Sequence, residues 1–115
     1  MKLLIVEDDP RVRRMIKLVV AELPAAIFEC GDGAEAQASY NQYRPDWVLM
    51  DIEMPVVDGL EATQRIKAEH PGARIVIVTA HEGASLREAA RRAGACGYVL
   101  KENLLDLLSI LNEEP

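Results

Sequence analysis

Leu3-Leu4-Ile5-Val6-Glu7-Asp8-Asp9-Pro10 puts an apolar run, three successive acids and a proline into one short stretch. The run does not alternate polar with apolar. It therefore reads as a strand buried on both faces, as in a parallel sheet covered by helices. The acids mark where that strand leaves the core. Asp9-Pro10 then reads as a helix start, with a carboxylate at the N-cap and a proline at the first helical position, where a missing N–H costs nothing. Strand, acidic turn and helix make the first unit of the chain.

Further units follow outward from it. Trp47-Val48-Leu49-Met50, Ile75-Val76-Ile77-Val78 and Tyr98-Val99-Leu100 are unbroken apolar runs, and Ile27-Phe28-Glu29-Cys30 is a weaker fifth. Between them apolar residues recur at helical spacing. Val12, Ile16, Val19, Val20 and Leu23 share one face, as do Leu60, Thr63 and Ile66. So do Leu86, Ala89, Ala90 and Ala93, and finally Leu104, Leu107, Leu108 and Leu111. The alanines of 34–43 favour a helix there as well. Asp58-x-x-Glu61 and Ser85-x-x-Glu88 fit capping boxes, while Pro71-Gly72 and Gly94 fit helix ends. Strand then helix, repeated five times, predicts an α/β fold: a doubly wound five-stranded parallel sheet with helices on both faces. The 115 residues suit a single domain, 1–115, without linker or repeat.

Composition narrows the function. Half the residues are apolar and 28% are charged, a globular balance. Thirteen basic against nineteen acidic residues give a net charge of −6, which argues against direct nucleic-acid binding, since phosphate contacts need a basic face. The apolar run after Met1 is too short for a signal segment or a membrane span. A soluble, cytoplasmic protein is expected, with no membrane partner. Cys30 and Cys96 form no CxxC pair and read as small apolar fillers.

In open α/β sheets ligands bind beyond the carboxyl ends of the strands. There the sequence places Glu7, Asp8 and Asp9 after the first strand, Asp51 after the third, Thr79 after the fourth and Lys101 after the fifth. Clustered carboxylates repel and call for a cation. Hard oxygen donors with room for water suit Mg²⁺. A lysine and a hydroxyl suit the oxygens of a phosphoryl group. A carboxylate flanked by Mg²⁺ and lysine can accept that group as a nucleophile.

Val6-Glu7-Asp8-Asp9, Met50-Asp51-Ile52-Glu53-Met54-Pro55-Val56-Val57-Asp58-Gly59, Val78-Thr79-Ala80 and Gly97-Tyr98-Val99-Leu100-Lys101 together resemble a response-regulator receiver domain of two-component signalling. The likeness runs through essentially the whole chain. It implies a flavodoxin-like strand order of 2-1-3-4-5. It also implies Asp51 as phosphoacceptor, with Asp8 ligating Mg²⁺ directly, Glu7 acting through water, and the Glu53 backbone carbonyl as a further ligand. Thr79 would bind a phosphoryl oxygen and move on activation, and Lys101 would pair with the phosphoryl group. Tyr98 matches an aromatic switch position, and Glu53 and His81 match positions that tune the lifetime of the phosphoryl group. The implied donor is a histidine kinase or phosphotransfer protein, with small phosphodonors as substitutes. The implied output is partner binding, or pairing of two copies, at the face of the fourth helix, fifth strand and last helix. A receiver turns over its own phosphoryl group and releases no separate small-molecule product.

Two features depart from the commonest receiver pattern. Glu102, not proline, follows Lys101, and the last helix is short before the chain stops at Asn112-Glu113-Glu114-Pro115, as in a trimmed or stand-alone receiver. Plainer readings stand beside the sharper ones. Asp9 serves as an N-cap, Tyr98 as packing, and Glu53 and His81 as exposed loop residues. His70 interacts with a helix C-terminus. Arg11, Arg13 and Arg14 form a solvated face or a kinase-docking patch. The rival functions are a phosphorylation-independent pseudo-receiver and a Mg²⁺-dependent aspartyl-phosphate phosphohydrolase. The latter resembles haloacid dehalogenases only in its acids, and 115 residues leave no cap.

Overall fold

Each apolar run becomes a strand, and each helical pattern becomes the crossover to the next. A computed structural model describes residues 1–112. Its elements are β1 (Lys2–Val6), α1 (Pro10–Val20), β2 (Ala26–Cys30), α2 (Gly33–Tyr43), β3 (Trp47–Met50), α3 (Gly59–Glu69), β4 (Ile75–Thr79), α4 (Ala84–Ala93), β5 (Gly97–Leu100) and α5 (Asp106–Leu111). A 3-10 turn at Lys101–Asn103 leads into α5. The sheet is wholly parallel, in the order β2-β1-β3-β4-β5, as expected. The Cα radius of gyration of 12.5 Å matches the roughly 13 Å of a domain this size. Glu113, Glu114 and Pro115, the end of the expected short tail, lie outside the described residues.

Alternation of side chains across the strands builds two cores. Leu4, Val6, Val48, Met50, Ile75 and Ile77 point to one face, where Ala36 and Tyr40 of α2, Ala62 and Ile66 of α3 and Ala90 of α4 cover them. Leu3, Ile5, Trp47, Leu49, Val76, Val78 and Val99 point to the other, beneath Ile16 and Val20 of α1 and Leu104, Leu107 and Leu111. This is why the strand sequences are apolar without a break.

The helix starts mostly follow their local chemistry. Asp9 Oδ1 accepts the Arg11 N–H at 2.9 Å, with Pro10 next in line. Asp58 Oδ1 accepts the Glu61 N–H at 2.9 Å. Asp32 caps α2 in the same way through Glu35 N–H at 2.8 Å, a start the alanine pattern did not mark.

Four expectations need correction. Ser85-x-x-Glu88 is not a capping box: α4 starts two residues earlier, at Ala84 behind Gly83, which has no side chain to cap with. Glu88 instead pairs with Arg91 and Arg92. Leu23 lies beyond α1, in the turn toward Pro24, though it still packs on the same core. Cys96 is exposed, not a filler; only Cys30 is buried. The His70 ring does not cap α3. Its backbone N–H does so, onto Ile66 O at 2.7 Å, while the ring bridges to α2 through Asn41 Oδ1 at 2.6 Å.

Candidate functional site

The strand ends bring the expected residues together. Glu7 and Asp51 are the first residues past β1 and β3, Thr79 is the last of β4, and Lys101 is the first past β5. Val6 pairs with Met50, so the next residues, Glu7 and Asp51, stand side by side. The Asp51 N–H continues the ladder, donating to Val6 O at 2.9 Å. Glu7 and Asp51 are 1% and 3% exposed, whereas Asp8 is open to solvent. One carboxylate oxygen from each of the three lies within 4.8 Å of the other two. Lys101 Nζ reaches over them, 2.9 Å from Glu7 Oε1 and 3.1 Å from Asp51 Oδ1.

One ammonium faces a cluster of three carboxylates, two of them buried. Burial pushes the Glu7 carboxyl up to about 7; Lys101 pulls it down, and the Asp51 charge pushes it up again. Burial also lifts the Asp51 carboxyl above its ordinary value, against the pull of Lys101. Burial works against the Lys101 charge, but Glu7 and Asp51 outweigh it and hold the ammonium above its usual range. Glu7 Oε1 is enclosed and, among the described residues, accepts no aligned hydrogen bond, although Lys101 stands at ion-pair distance. An enclosed oxygen with spare capacity, beside two more carboxylates, is a donor set that fits a hard divalent cation.

A second tier links the strand ends to α4. Thr79 Oγ1 accepts the His81 N–H at 3.2 Å. The Tyr98 hydroxyl donates to the His81 carbonyl at 2.7 Å. Arg87 lies over the Tyr98 ring, 4.5 Å from its centroid, and is itself held by Glu82 through bonds of 2.7 and 3.1 Å. His81 Nε2 pairs with the Glu53 carboxylate across the mouth of the site, both side chains being exposed. Glu53 belongs to the loop from β3 to α3, whose end folds back so closely that Gly59 N–H donates to Ile52 O at 2.9 Å.

Two residues of this frame have roles that the sequence did not show: Arg13, read there as part of a solvated face or docking patch, and Arg87. Arg13 Nη1 donates to the Glu7 carbonyl at 2.7 Å and pairs with Glu29 at 3.3 Å, fixing the turn that carries the acids. Its place one helical turn after Asp9 was the available signal. Arg87, stacked on Tyr98, had no sequence signal beyond its place on α4. Arg11 is exposed and, among the described residues, pairs only with Asp9, and Arg14 is exposed. The peptide bond between Lys101 and Glu102 is trans.

Residues 3–112 match the family model described as response regulator receiver domain. The chain belongs to that family. This receiver is 37% identical over 100 residues to the chemotaxis protein CheY of Halobacterium salinarum, covering 87% of this chain and 83% of that one. It is 32% identical over 109 residues to the transcriptional regulatory protein DegU of Brevibacillus brevis, covering 93% of this chain but only 46% of that longer one. Among solved structures, a LuxR-family two-component response regulator from Aurantimonas superposes with a TM-score of 0.90 at 34% identity, covering 96% of the receiver and 81% of that chain. The protein is thus a receiver of two-component signalling. The family holds Mg²⁺ in an acidic pocket, and Glu7, Asp8 and Asp51 form an acidic cluster here. Among the described residues no helix is long and apolar enough to cross a membrane.

Proposed function

We propose that this receiver, residues 1–115, accepts a phosphoryl group on Asp51 from a phosphohistidine of a histidine kinase or phosphotransfer protein. Small phosphodonors would serve in place of that partner. One observation carries the reading: the buried Asp51 carboxylate lies 3.1 Å from Lys101 and beside an enclosed, under-coordinated Glu7. In the transfer, an Asp51 carboxylate oxygen bonds to phosphorus as the phosphorus–nitrogen bond to the donor breaks. Asp51 and its neighbours hold the reacting atoms in place, which is most of what phosphoryl transfer asks of a protein.

Mg²⁺ would neutralise the charge of the entering group when bound by Asp8 and Asp51, with Glu7 acting through water and the Glu53 carbonyl completing the set. Lys101 is poised to leave Glu7 and bind a phosphoryl oxygen, a charge-assisted contact. The Thr79 hydroxyl accepts from His81 and so keeps its own proton to donate to another phosphoryl oxygen. Drawing Thr79 inward pulls on His81, and through the His81 carbonyl on Tyr98 and its stacked Arg87. The face formed by α4, β5 and α5 thereby acquires two states that differ in contacts, which a switch requires. That face is the output surface in this reading, for a target protein or a second copy. Glu53 and His81, paired over the mouth, set how readily water reaches the acyl phosphate. The receiver turns over only its own phosphoryl group and works in the cytoplasm, without direct contact to nucleic acid.

The experiment is incubation with Mg²⁺ and acetyl phosphate, followed by intact mass measurement. A single phosphoryl adduct that disappears in Asp51→Asn and in chelator supports the reading. No adduct, and no binding of beryllofluoride, would make the protein a phosphorylation-independent interaction module. Continuous release of product from a small phosphate ester would instead make it a phosphohydrolase.

A further inference from the structure

Gly33, the first residue of α2, follows β2 by three residues and carries no functional group. Yet a Cβ placed on it would lie 2.0 Å from the Val57 carbonyl oxygen, 2.9 Å from the Val57 carbonyl carbon and 3.3 Å from the Asp58 carbonyl oxygen. All three are backbone atoms, so no rotamer change can relieve the contact. The first turn of α2 and the loop from β3 to α3 therefore touch backbone to backbone, with only a hydrogen's width between them.

That loop is held from its other end too. A Cβ on Gly59 would lie 1.9 Å from the Asp51 carbonyl oxygen, so the start of α3 is pressed against the phosphoacceptor's own peptide. Between the two contacts runs the segment that carries Glu53. Within it Val56 has φ of 69°, a left-handed conformation that a β-branched residue adopts only under constraint. Val56 is 91% exposed, so its own side chain packing does not supply that constraint. A tight turn supplies it, Val57 N–H donating to Pro55 O at 2.8 Å, and the buried Val57 that closes this turn rests its carbonyl against Gly33.

We propose that Gly33 is a positioning residue for the metal and phosphoryl site: the first turn of α2 is a buttress that fixes the path of the 51–59 loop and, with it, the Glu53 carbonyl. The assignment rests on the Mg²⁺ reading above. The buttress acts on the site only through backbone geometry. Asp32, whose carboxylate holds the first turn of α2 through the Glu35 N–H at 2.8 Å, is its anchor.

The test measures Mg²⁺ affinity by calorimetry, and amide exchange at Val57 and Gly59, in the full chain. Gly33→Ala pushes the loop away, and Asp32→Ala loosens the buttress without adding an atom to it. Gly94→Ala is the control. A Cβ there would lie 2.8 Å from Lys67 Cγ at a φ of 109°, so it costs stability, but it sits at the far end of α4, away from the strand ends that carry the site. Gly33→Ala is expected to weaken Mg²⁺ by about tenfold or more, as lost support of metal ligands does. Asp32→Ala should produce a smaller loss, and both variants should exchange faster at Gly59. Gly94→Ala should be less stable yet bind Mg²⁺ as the parent does. Unchanged affinity in Gly33→Ala overturns the proposal, as does an equal loss in Gly94→Ala. If Gly33→Ala does not fold, Asp32→Ala decides by the same readouts. If the parent binds no Mg²⁺, the metal reading fails by itself. Exchange at Gly59 in the two α2 variants then decides the buttress, and unchanged exchange overturns it.

Discussion

Glu7→Gln should make the metal-free receiver more stable at mildly alkaline pH, although it removes one partner of an ion pair. The reason is the position of Glu7, enclosed beside Asp51, which lifts its carboxyl from 4.5 to about 7. The native state thus holds this proton to higher pH than the unfolded chain does. The stability it contributes is present at low pH and is lost as pH rises from about 4.5 through 7. At about 1.4 kcal/mol per pH unit, the charged Glu7 costs about 3 kcal/mol at about pH 8. Near pH 5 the same calculation gives about 1 kcal/mol or less. A neutral amide escapes both penalties. Urea unfolding in chelator should therefore show Glu7→Gln more stable than the parent by about 3 kcal/mol at about pH 8, a midpoint shift of roughly 1–3 M. The advantage should shrink toward pH 5. Excess Mg²⁺ should reverse the order, because it stabilises the parent by mass action and binds the variant less well. A Glu7→Gln protein no more stable than the parent at about pH 8 in chelator would refute the argument that the acids are under-compensated.

Four further outcomes are expected. Lys101→Met leaves buried carboxylates without their cation and should cost about 3 kcal/mol at about pH 8, and clearly less near pH 5, in urea titrations without metal. Val56→Gly relieves a left-handed valine whose side chain is 91% exposed and should gain about 0.5–1 kcal/mol after the added backbone entropy of glycine is counted, read by the same titration. Leu107→Ala empties a fully buried site between α5 and the sheet and should cost about 3 kcal/mol. A thiol reagent applied to the native protein should label Cys96 and spare Cys30, which is enclosed and whose thiol burial pushes up; mass spectrometry of the digest reads the difference.

The strands and the acids were legible because their signals are local. Ile75-Val76-Ile77-Val78 has nowhere to lie but between two layers, and a carboxylate at the end of such a run must emerge at the sheet's edge. Local signals fail where two segments meet. Nothing in Glu53 or His81 alone shows that they pair, because the contact depends on two loops brought together by the order β3-β4. Gly33 carries no signal of its own in the sequence; its role shows only once Val57, from another loop, is placed against it. Cys96 reads as an apolar filler from its residue type alone, but it falls just before β5 begins, where the chain is still at the surface. Ser85 fits an N-cap by residue type and spacing, but α4 begins at Ala84, so Ser85 already lies inside the helix.

The pairing of Val6 with Met50 also makes the chemistry a matter of phase. Glu7 and Asp51 emerge side by side because both strands leave the core on the same beat of a two-residue alternation. An extra residue inserted within β1 or β3 would put one of them out of step and aim its carboxylate into the opposite apolar layer. The same residue added near Pro24, in the exposed turn between α1 and β2, would leave the beat untouched. The tolerance of this protein to changes in chain length should therefore be sharply uneven, forgiving at that turn and absent in the strands that deliver the two acids.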